Sequence, residues 1–343
     1  MATLVLSIVP AVFATSVGTG VGVNIQTEQF KPIVWMCGDR IVSDDNVQPG
    51  RNGESLQERL HNYAFEGESV KWTVLVMDKN GAQKIKDVFA TIGNSQGSGN
   101  NIEANCVRTT GPTQIDPSCN ARILEEQITT FNPATMSYYE CTLTVETGES
   151  MYGEYWVTVE AEDLNGLSGT MDENEYWFFN PIIALSVDGA LAFENVRPGT
   201  DSYSKTMLIG NDADAGSGVL LDMFISGTDF YDSASSGAAC PTTNQLSLEA
   251  FSYFATNGAY STKDNEDADD EGYRPIGYGD HWDASMYNNN EIIHNDDAEI
   301  EDYYAGNILS PGSEMALTFK LSMPEPCNGD FDTGSIYFWG EAI

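Results

Sequence analysis

Residues 67–81 read G-E-S-V-K-W-T-V-L-V-M-D-K-N-G and carry the pattern that decides the fold. The even positions of residues 70–76 are apolar, and Lys71 and Thr73 alternate with them. This period of two is typical of a strand with one buried face. The Asn-Gly pair at its end readily takes the positive φ of a tight turn, so we expect a hairpin whose second strand covers residues 88–92.

The same alternation recurs along the chain, and no long stripe with a helical period competes with it. It is clearest in residues 139–145, 155–161, 183–187, 219–225 and 317–323. Short strands at this spacing, joined by turn residues, indicate antiparallel sandwiches. Because Asn180-Pro181 interrupts the pattern, we predict an all-β fold of two tandem antiparallel β-sandwich domains of the Ig-like kind, residues 16–180 and 181–343.

Two stretches lack this clear alternation. They are residues 93–135 in the first predicted domain and residues 232–310, an acidic stretch, in the second. We expect both to be long loop insertions.

The chain begins M-A-T-L-V-L-S-I-V-P-A-V-F-A, with a short apolar run and no basic residue before it. The run is too short to span a bilayer. We interpret residues 1–15 as a truncated signal peptide, with cleavage after Ala14. The alternative is a buried first strand, which Pro10 disfavours because proline interrupts strand pairing.

Residues 16–26 combine a β-branched face with a nearly bare glycine face. The odd positions include Val17, Val21, Val23 and Ile25, which define a predicted assembly strand. Glycine weakens an isolated strand, so the segment needs a sheet to pair with. We expect it to be the first edge strand of its own domain, and the alternative is a donor strand added to a neighbouring subunit.

The charge balance excludes several classes of function. The 343 residues include 15 Lys+Arg against 52 Asp+Glu, a formal charge of −37. Binding to nucleic acid needs many cations to neutralise phosphates, and binding to anionic lipid also needs basic residues. The chain contains only three His, so few imidazole side chains are present for catalysis or zinc binding. No nucleotide-binding or hydrolase motif is present, so we do not predict an enzyme.

Six cysteines are present, and none lies in a C-x-x-C pair of the kind that zinc sites use. An even count favours disulfides, which need an oxidising compartment, over free buried thiols. Strand phase and spacing predict the pairs Cys37–Cys141, Cys106–Cys119 and Cys240–Cys327. We therefore expect an extracellular or cell-surface protein.

Two acidic turns are candidate calcium sites. Asp267, Asp269 and Glu271 precede Gly272 as in the first half of an EF-type loop, but the residue at position 12 is Tyr278, so an EF-hand is rejected. A second candidate contains Asp212 and Asp214. Oxygen ligands suit Ca²⁺ better than a transition metal. The commoner reading of such clusters is a solvated acidic loop, and we expect no other cofactor.

The chain also resembles known families. Residues 67–81 and 153–169 resemble strand-and-turn units of secreted Ig-like domains. Residues 191–200 and 207–230 look like the surface sandwiches of prokaryotic exoproteins. The chain as a whole is similar to secreted, S-layer-like surface proteins of small-genome (DPANN) archaea. This resemblance implies a structural role at the cell surface and assigns no catalytic residue.

These features predict a structural protein of the cell envelope, an S-layer or surface-filament subunit whose main partner is a second copy of itself. The alternative is a secreted adhesin that binds a cell-surface glycan or a host surface. A glycoside hydrolase ranks third, because two carboxylates suffice for that chemistry and any pair can arise by chance in so acidic a chain.

Overall fold

The computed structural model describes residues 20–43, 62–95, 102–110, 113–120, 128, 130–172, 175–240, 244–281, 290–294 and 303–343. The predicted signal peptide, residues 1–15, and Val17 lie outside these ranges. Strands dominate the described residues, so the all-β prediction is confirmed. Within these ranges, no helix is long and apolar enough to cross a membrane.

The strands of the first half form one continuous hydrogen-bonded path. They are β1 (Ile33–Ser43), β2 (Tyr63–Ala64), β3 (Ser69–Met77), β4 (Ile85–Gly93), β5 (Ile102–Arg108), β6 (Met136–Thr144), β7 (Gly153–Asp163), β8 (Ser168–Thr170) and β9 (Glu175–Phe179), with one helical turn, α1 (Pro117–Asn120). The order is β1-β3-β6-β5-β4-β7-β9-β2, and β8 pairs with β7.

Strand β5 connects two layers of this path. Its residues 102–104 pair with β4, and its residues 105–108 pair with β6. Side chains from both layers, such as Trp72 of β3 and Val159 of β7, share one core. The first half is thus one continuous path of strands around a shared core. Its assignment as an Ig-like sandwich, with a second one in tandem, stays a prediction.

The hairpin expected after β3 is wrong. Strand β3 pairs with β1 and β6, whereas β4 pairs with β5 and β7. A 3₁₀ turn at Ala82–Lys84 follows Gly81, whose φ is 126°, and leads the chain from the first layer into the second. The Asn-Gly signal therefore marks a turn here, but not a hairpin.

The second half contains several separate sheets. Its strands are β10 (Leu185–Asp188), β11 (Asp201–Tyr203), β12 (Met207–Asn211), β13 (Leu221–Gly227), β14 (Phe230–Tyr231), β15 (Gln245–Leu246), β16 (Phe251–Asn257), β17 (Tyr260–Ser261), β18 (Arg274–Pro275), β19 (Gly277–Tyr278), β20 (Ile308–Leu309), β21 (Glu314–Ser322) and β22 (Ile336–Ala342). One sheet has the order β10-β12-β21-β16-β17, with β11 beside β21 and β18 beside β16. A second sheet places β13 beside β19, β20 and β22, and β14 pairs with β15.

Both stretches expected to be insertions contain strands of the main sheets, so that expectation is wrong. Residues 93–135 include β5, and residues 232–310 include β16, which pairs with β21 over residues 251–256. Phe251, Tyr253 and Ala255 of β16 are buried in the core between the two larger sheets of the second half.

Two of the three predicted disulfide pairs are also wrong. The structure joins Cys37 to Cys119 and Cys106 to Cys141. Cys141 faces the inner core, whereas Cys37 belongs to a separate cluster on the other face of the same layer, so the two sulfurs cannot meet. Cys106 lies directly opposite Cys141 in the β5–β6 register.

The third pair, Cys240–Cys327, is joined as expected. Disulfides form in oxidising compartments, so the three bonds indicate an extracellular protein.

The two halves also touch. Tyr63 and Phe178 of the first half are buried in the hydrophobic cluster of the second half, and the Tyr63 hydroxyl donates a hydrogen bond to the carbonyl of Ile343. Tyr152 of the first half donates to Asp214 of the second half at 3.0 Å, and the amide of Ile182, also in the second half, holds the same carboxylate at 2.8 Å. The predicted boundary at residues 180/181 lies between β9 and β10.

Candidate functional site

The described part of the predicted assembly strand pairs with no other strand. Residues 20–26 belong to no strand. Val21, Val23 and Ile25 are 87%, 75% and 79% exposed. The expectation that this segment is an edge strand of its own domain is therefore wrong for these residues. We call residues 20–26 the arm.

The base of the arm is fixed to the first half by two turns. The Phe30 amide donates to Asn80 Oδ1 at 2.6 Å, and Asn80 Nδ2 donates to the Glu28 carbonyl at 2.9 Å. Asn165 Nδ2 donates to Gln29 Oε1 at 2.6 Å. These contacts hold residues 28–30, so the arm leaves the domain from a defined place.

A second contact at the base requires glycine. A Cβ at Gly169 would lie 1.7 Å from the Pro32 carbonyl oxygen. Any residue other than glycine would therefore clash at this position. The Lys79 ammonium lies 4.4 Å from the centre of the Phe30 ring, within the range of a cation–π contact. The backbone approach and the ring contact together hold residues 30–32 against the first half.

The two turns that hold the arm differ in their electrostatics. Burial raises the pKa of Asp78, and the charge of Asp163 adds to the rise, although the Asn80 amide donates to Asp78. Burial also acts to raise the pKa of Asp163. Backbone amides of Leu167 and Asn165, each at 2.8 Å from Oδ1, outweigh it and lower that pKa below its ordinary value.

An edge of the second half is open to another strand. Within the described ranges, residues 336–340 of β22 pair with β13 on one side and with no strand on the other. Ile336 and Phe338 are partly buried against the core. Tyr337 and Trp339 point to the other face, where their rings stack with centroids 5.8 Å apart. We call residues 336–340 the β22 edge.

The β22 edge is also fixed in place. Trp339 Nε1 donates to Ser226 Oγ at 3.0 Å. A Cβ at Gly340 would lie 3.2 Å from a Leu185 methyl, so this glycine lets β10 of the other sheet approach closely. A free strand edge with apolar side chains on a rigid sheet is a template for strand addition.

The carboxylates predicted to bind calcium have other partners. Both oxygens of Asp267 accept from Arg274 Nε at 2.8 Å. Lys320 Nζ lies 2.9 Å from Asp269 and 3.5 Å from Glu271. Burial acts to raise the pKa of Asp269, but the Lys320 hydrogen bond and two backbone amides lower it overall.

The two carboxylates of the second candidate calcium site also have separate surroundings. Asp214 accepts hydrogen bonds from Ile182 and Tyr152 at the contact between the halves, and Asp212 is exposed. Across the described residues, no three or more His, Cys, Asp or Glu side chains are placed to hold a metal ion. The structure thus brings Asp269 and Glu271 together around Lys320, but among the described residues it groups no three of the five predicted ligands as a metal site.

The sequence reasoning missed the cations that organise the acidic turns. Arg274 is 4% exposed and donates to the Glu291 carbonyl as well as to Asp267. A scarce Arg or Lys inside a strongly acidic stretch is the signal that could have shown an internal ion pair, because a buried cation requires a partner.

No protein-family model matches the chain, and no curated protein matches it. Among solved structures, it is similar to the C-terminal domain of the Streptococcus agalactiae AgI/II polypeptide BspA. The two are 12% identical, with 91% of this chain and 97% of that chain covered and a TM-score of 0.30. It is also similar to a structure titled as a chaperone–tip adhesin complex of CFA/I fimbriae biogenesis. There the identity is 9%, with 92% of each chain covered and a TM-score of 0.24. Similarity this low carries no argument about function.

Proposed function

We propose that the protein is an extracellular structural subunit that assembles with copies of itself into a surface layer or filament. The observation that carries the proposal is the arm. Its three large apolar side chains are exposed and occupy alternate positions of the sequence, while its base is held by hydrogen bonds. Exposed β-branched residues in an extended segment gain most from joining a sheet.

The acceptor in this proposal is the β22 edge of a second copy. Added there, the arm would place Val21, Val23 and Ile25 on the same face as Ile336 and Phe338, over the partly buried side of the core. The glycine face of the arm would lie beside the bulky rings of Tyr337 and Trp339. Alternation in both segments fixes which face is which, because a slip by one residue would turn the valines toward solvent.

The test compares two substitutions that add the same charge to opposite faces of the arm. Val23→Asp puts a carboxylate on the apolar face, and Asn24→Asp puts one on the other face. Burying an unpaired carboxylate is costly. We therefore expect Val23→Asp to weaken self-association about tenfold or more and Asn24→Asp to change it little.

Light scattering over a range of protein concentrations gives the association constant of each variant. Deletion of residues 16–26 should then leave a folded monomer. Equal weakening by both substitutions would mean that general charge repulsion, not strand addition, controls assembly. If the deletion unfolds the first half, the segment belongs to its own domain.

A second candidate function is an adhesin that binds glycan. The stacked and partly exposed rings of Tyr337 and Trp339 favour it, because sugars stack on aromatic faces. A glycan array probed with the arm-deleted monomer separates the two candidates. Glycan binding that is lost in Trp339→Leu would support the adhesin. The absence of any glycan binding would favour the structural role instead.

A further inference from the structure

A preformed cleft lies in the second half, and its described lining includes no residue of the arm or of the β22 edge. It has a volume of about 490 Å³ and is lined by the rings of Phe193, Phe230, Phe251 and Phe331. The Phe251 ring lies 4.7 Å from that of Phe230 and 5.9 Å from that of Phe193. A concave, aromatic site of this size is typical of a ligand pocket.

One wall of the cleft is rigid. The Cys240–Cys327 disulfide and a strand bridge between Ala239 and Asn328 tie this wall to the body of the second half. At Gly329, whose φ is 102°, a Cβ would lie 2.4 Å from Ala238, so only glycine fits. A second bridge joins Thr333 to Tyr231. The site therefore exists before a ligand arrives.

The described residues that line the cleft carry negative charge and no positive charge. Asp330 and Asp332 are among them, and no Lys or Arg is. The backbone amide of Ser233, at 2.9 Å, and its hydroxyl, at 2.7 Å, donate to Asp332 and lower the pKa of that carboxyl. Asp332 is thus ionised at neutral pH, and Asp330 is exposed.

We propose that this cleft binds an arginine side chain of a basic partner protein. A guanidinium stacks on aromatic rings and pairs with carboxylates in a planar, two-pronged geometry, which matches rings beside acids. The net charge of −37 attracts a basic partner. The arm of a second copy is not the occupant, because residues 16–26 contain no Lys or Arg.

The test uses two capped tripeptides, acetyl-Gly-Arg-Gly-amide and the same peptide with citrulline in place of arginine. Citrulline keeps the planar shape and removes the charge. We expect calorimetric titration at physiological salt to show saturable binding of the arginine peptide, at least about tenfold tighter than that of the citrulline peptide.

Two matched variants locate the binding. Asp330→Asn should lose about tenfold in affinity for the arginine peptide. Asp172→Asn should lose little, since it makes the same charge change at an exposed position of the first half. Phe331→Leu, which keeps the wall apolar but removes the ring, should weaken the arginine peptide more than the citrulline peptide.

The proposal is overturned if neither peptide gives saturable heat or if the two peptides bind equally. It is also overturned if Asp330→Asn and Asp172→Asn weaken binding to the same extent, because long-range attraction would then explain it. None of these measurements depends on the arm, so the proposals for the arm and for the cleft can fail separately.

Discussion

The two halves of the chain secure their long connections by different means. In the first half, disulfides tie residues 93–135 to the sheet, with Cys106–Cys141 at the inner core and Cys37–Cys119 on the outer face. In the second half, the Cys240–Cys327 disulfide ties the beginning of residues 232–310, and buried polar side chains secure residues further along. The comparison shows that a long connection can be held by covalent links or by side chains that satisfy its backbone groups, and that the second half combines the two.

Asn307 illustrates the second solution. It is fully buried, and its Nδ2 donates to Asp222 and to the Met223 carbonyl, each at 2.7 Å. Its Oδ1 accepts from the Ile293 amide at 3.0 Å. Asn211 acts in the same way, because its Nδ2 donates to the carbonyls of Val219 and Leu309.

The largest effects should come from removing disulfides. The double substitution Cys106→Ala and Cys141→Ala opens a connection with a sequence separation of 35. The chain-entropy relation gives a loss of about 4 kcal/mol in the free energy of unfolding. Urea unfolding measures it, and we expect the loss in the transition of the first half.

The matching control is the double substitution Cys240→Ala and Cys327→Ala, which should act on the second half. If both pairs shift a single common transition equally, the two halves unfold as one unit and the comparison between them does not hold.

Next in size is Asn307→Ala. It removes three hydrogen bonds and leaves Asp222 without that donor, so we expect a loss of about 3 kcal/mol. Asn105→Ala, at an exposed position of β5, is the control and should stay within about 0.5 kcal/mol of the parent. A small effect of Asn307→Ala would show that the second half does not depend on its buried asparagines.

A smaller effect should come from the contact between the halves. Tyr63→Phe removes only the hydroxyl that donates to Ile343, so we expect a loss of about 1 kcal/mol. Tyr176→Phe, on a partly exposed ring of β9, is the control. If Tyr63→Phe leaves stability unchanged, the contact between the halves contributes no specific hydrogen-bond energy.

The smallest effects should separate the two turns that hold the arm. The lowered pKa of Asp163 means that its charge stabilises the fold above the unfolded pKa, and that this contribution is lost as pH falls through the folded pKa. The raised pKa of Asp78 means that its ionisation opposes folding. Near neutral pH, Asp163→Asn should lower Tm and Asp78→Asn should raise it.

Melting curves from about pH 7 down to about pH 3 check the signs. Both differences should shrink as the carboxylates protonate, since the ordinary pKa of an aspartate is 3.8. Shifts of the same sign at neutral pH would contradict the different environments assigned to these turns.

Much of the fold could be predicted from alternation alone. Residues 70–76 alternate because one face of β3 packs on the core, and the structure places a strand there. Alternation fails where both faces are covered, as in residues 34–37, which are all buried. The sequence therefore does not show which face of β1 carries Cys37, and this is why the predicted partner of Cys37 is wrong. Strand β5 was missed because its alternation covers only residues 102–106 and four of its seven residues are exposed.

The candidate sites were predicted less well, for a physical reason. The apolar face of residues 16–26 could be read directly from the sequence, but its exposure depends on whether a sheet edge lies beside it. The aromatic cleft joins residues from distant parts of the chain, such as Phe193 and Phe331, which no local pattern connects. The acidic turns suggested calcium because the sequence does not show that Lys320 reaches Asp269.

The most direct test of the account places a photo-reactive benzoylphenylalanine at position 23 of the arm in a mixture of isotope-labelled and unlabelled chains. We predict crosslinks between labelled and unlabelled chains, with the partner peptide containing residues 336–340. Crosslinks confined to single chains, or joined to peptides away from the β22 edge, would contradict assembly by strand addition.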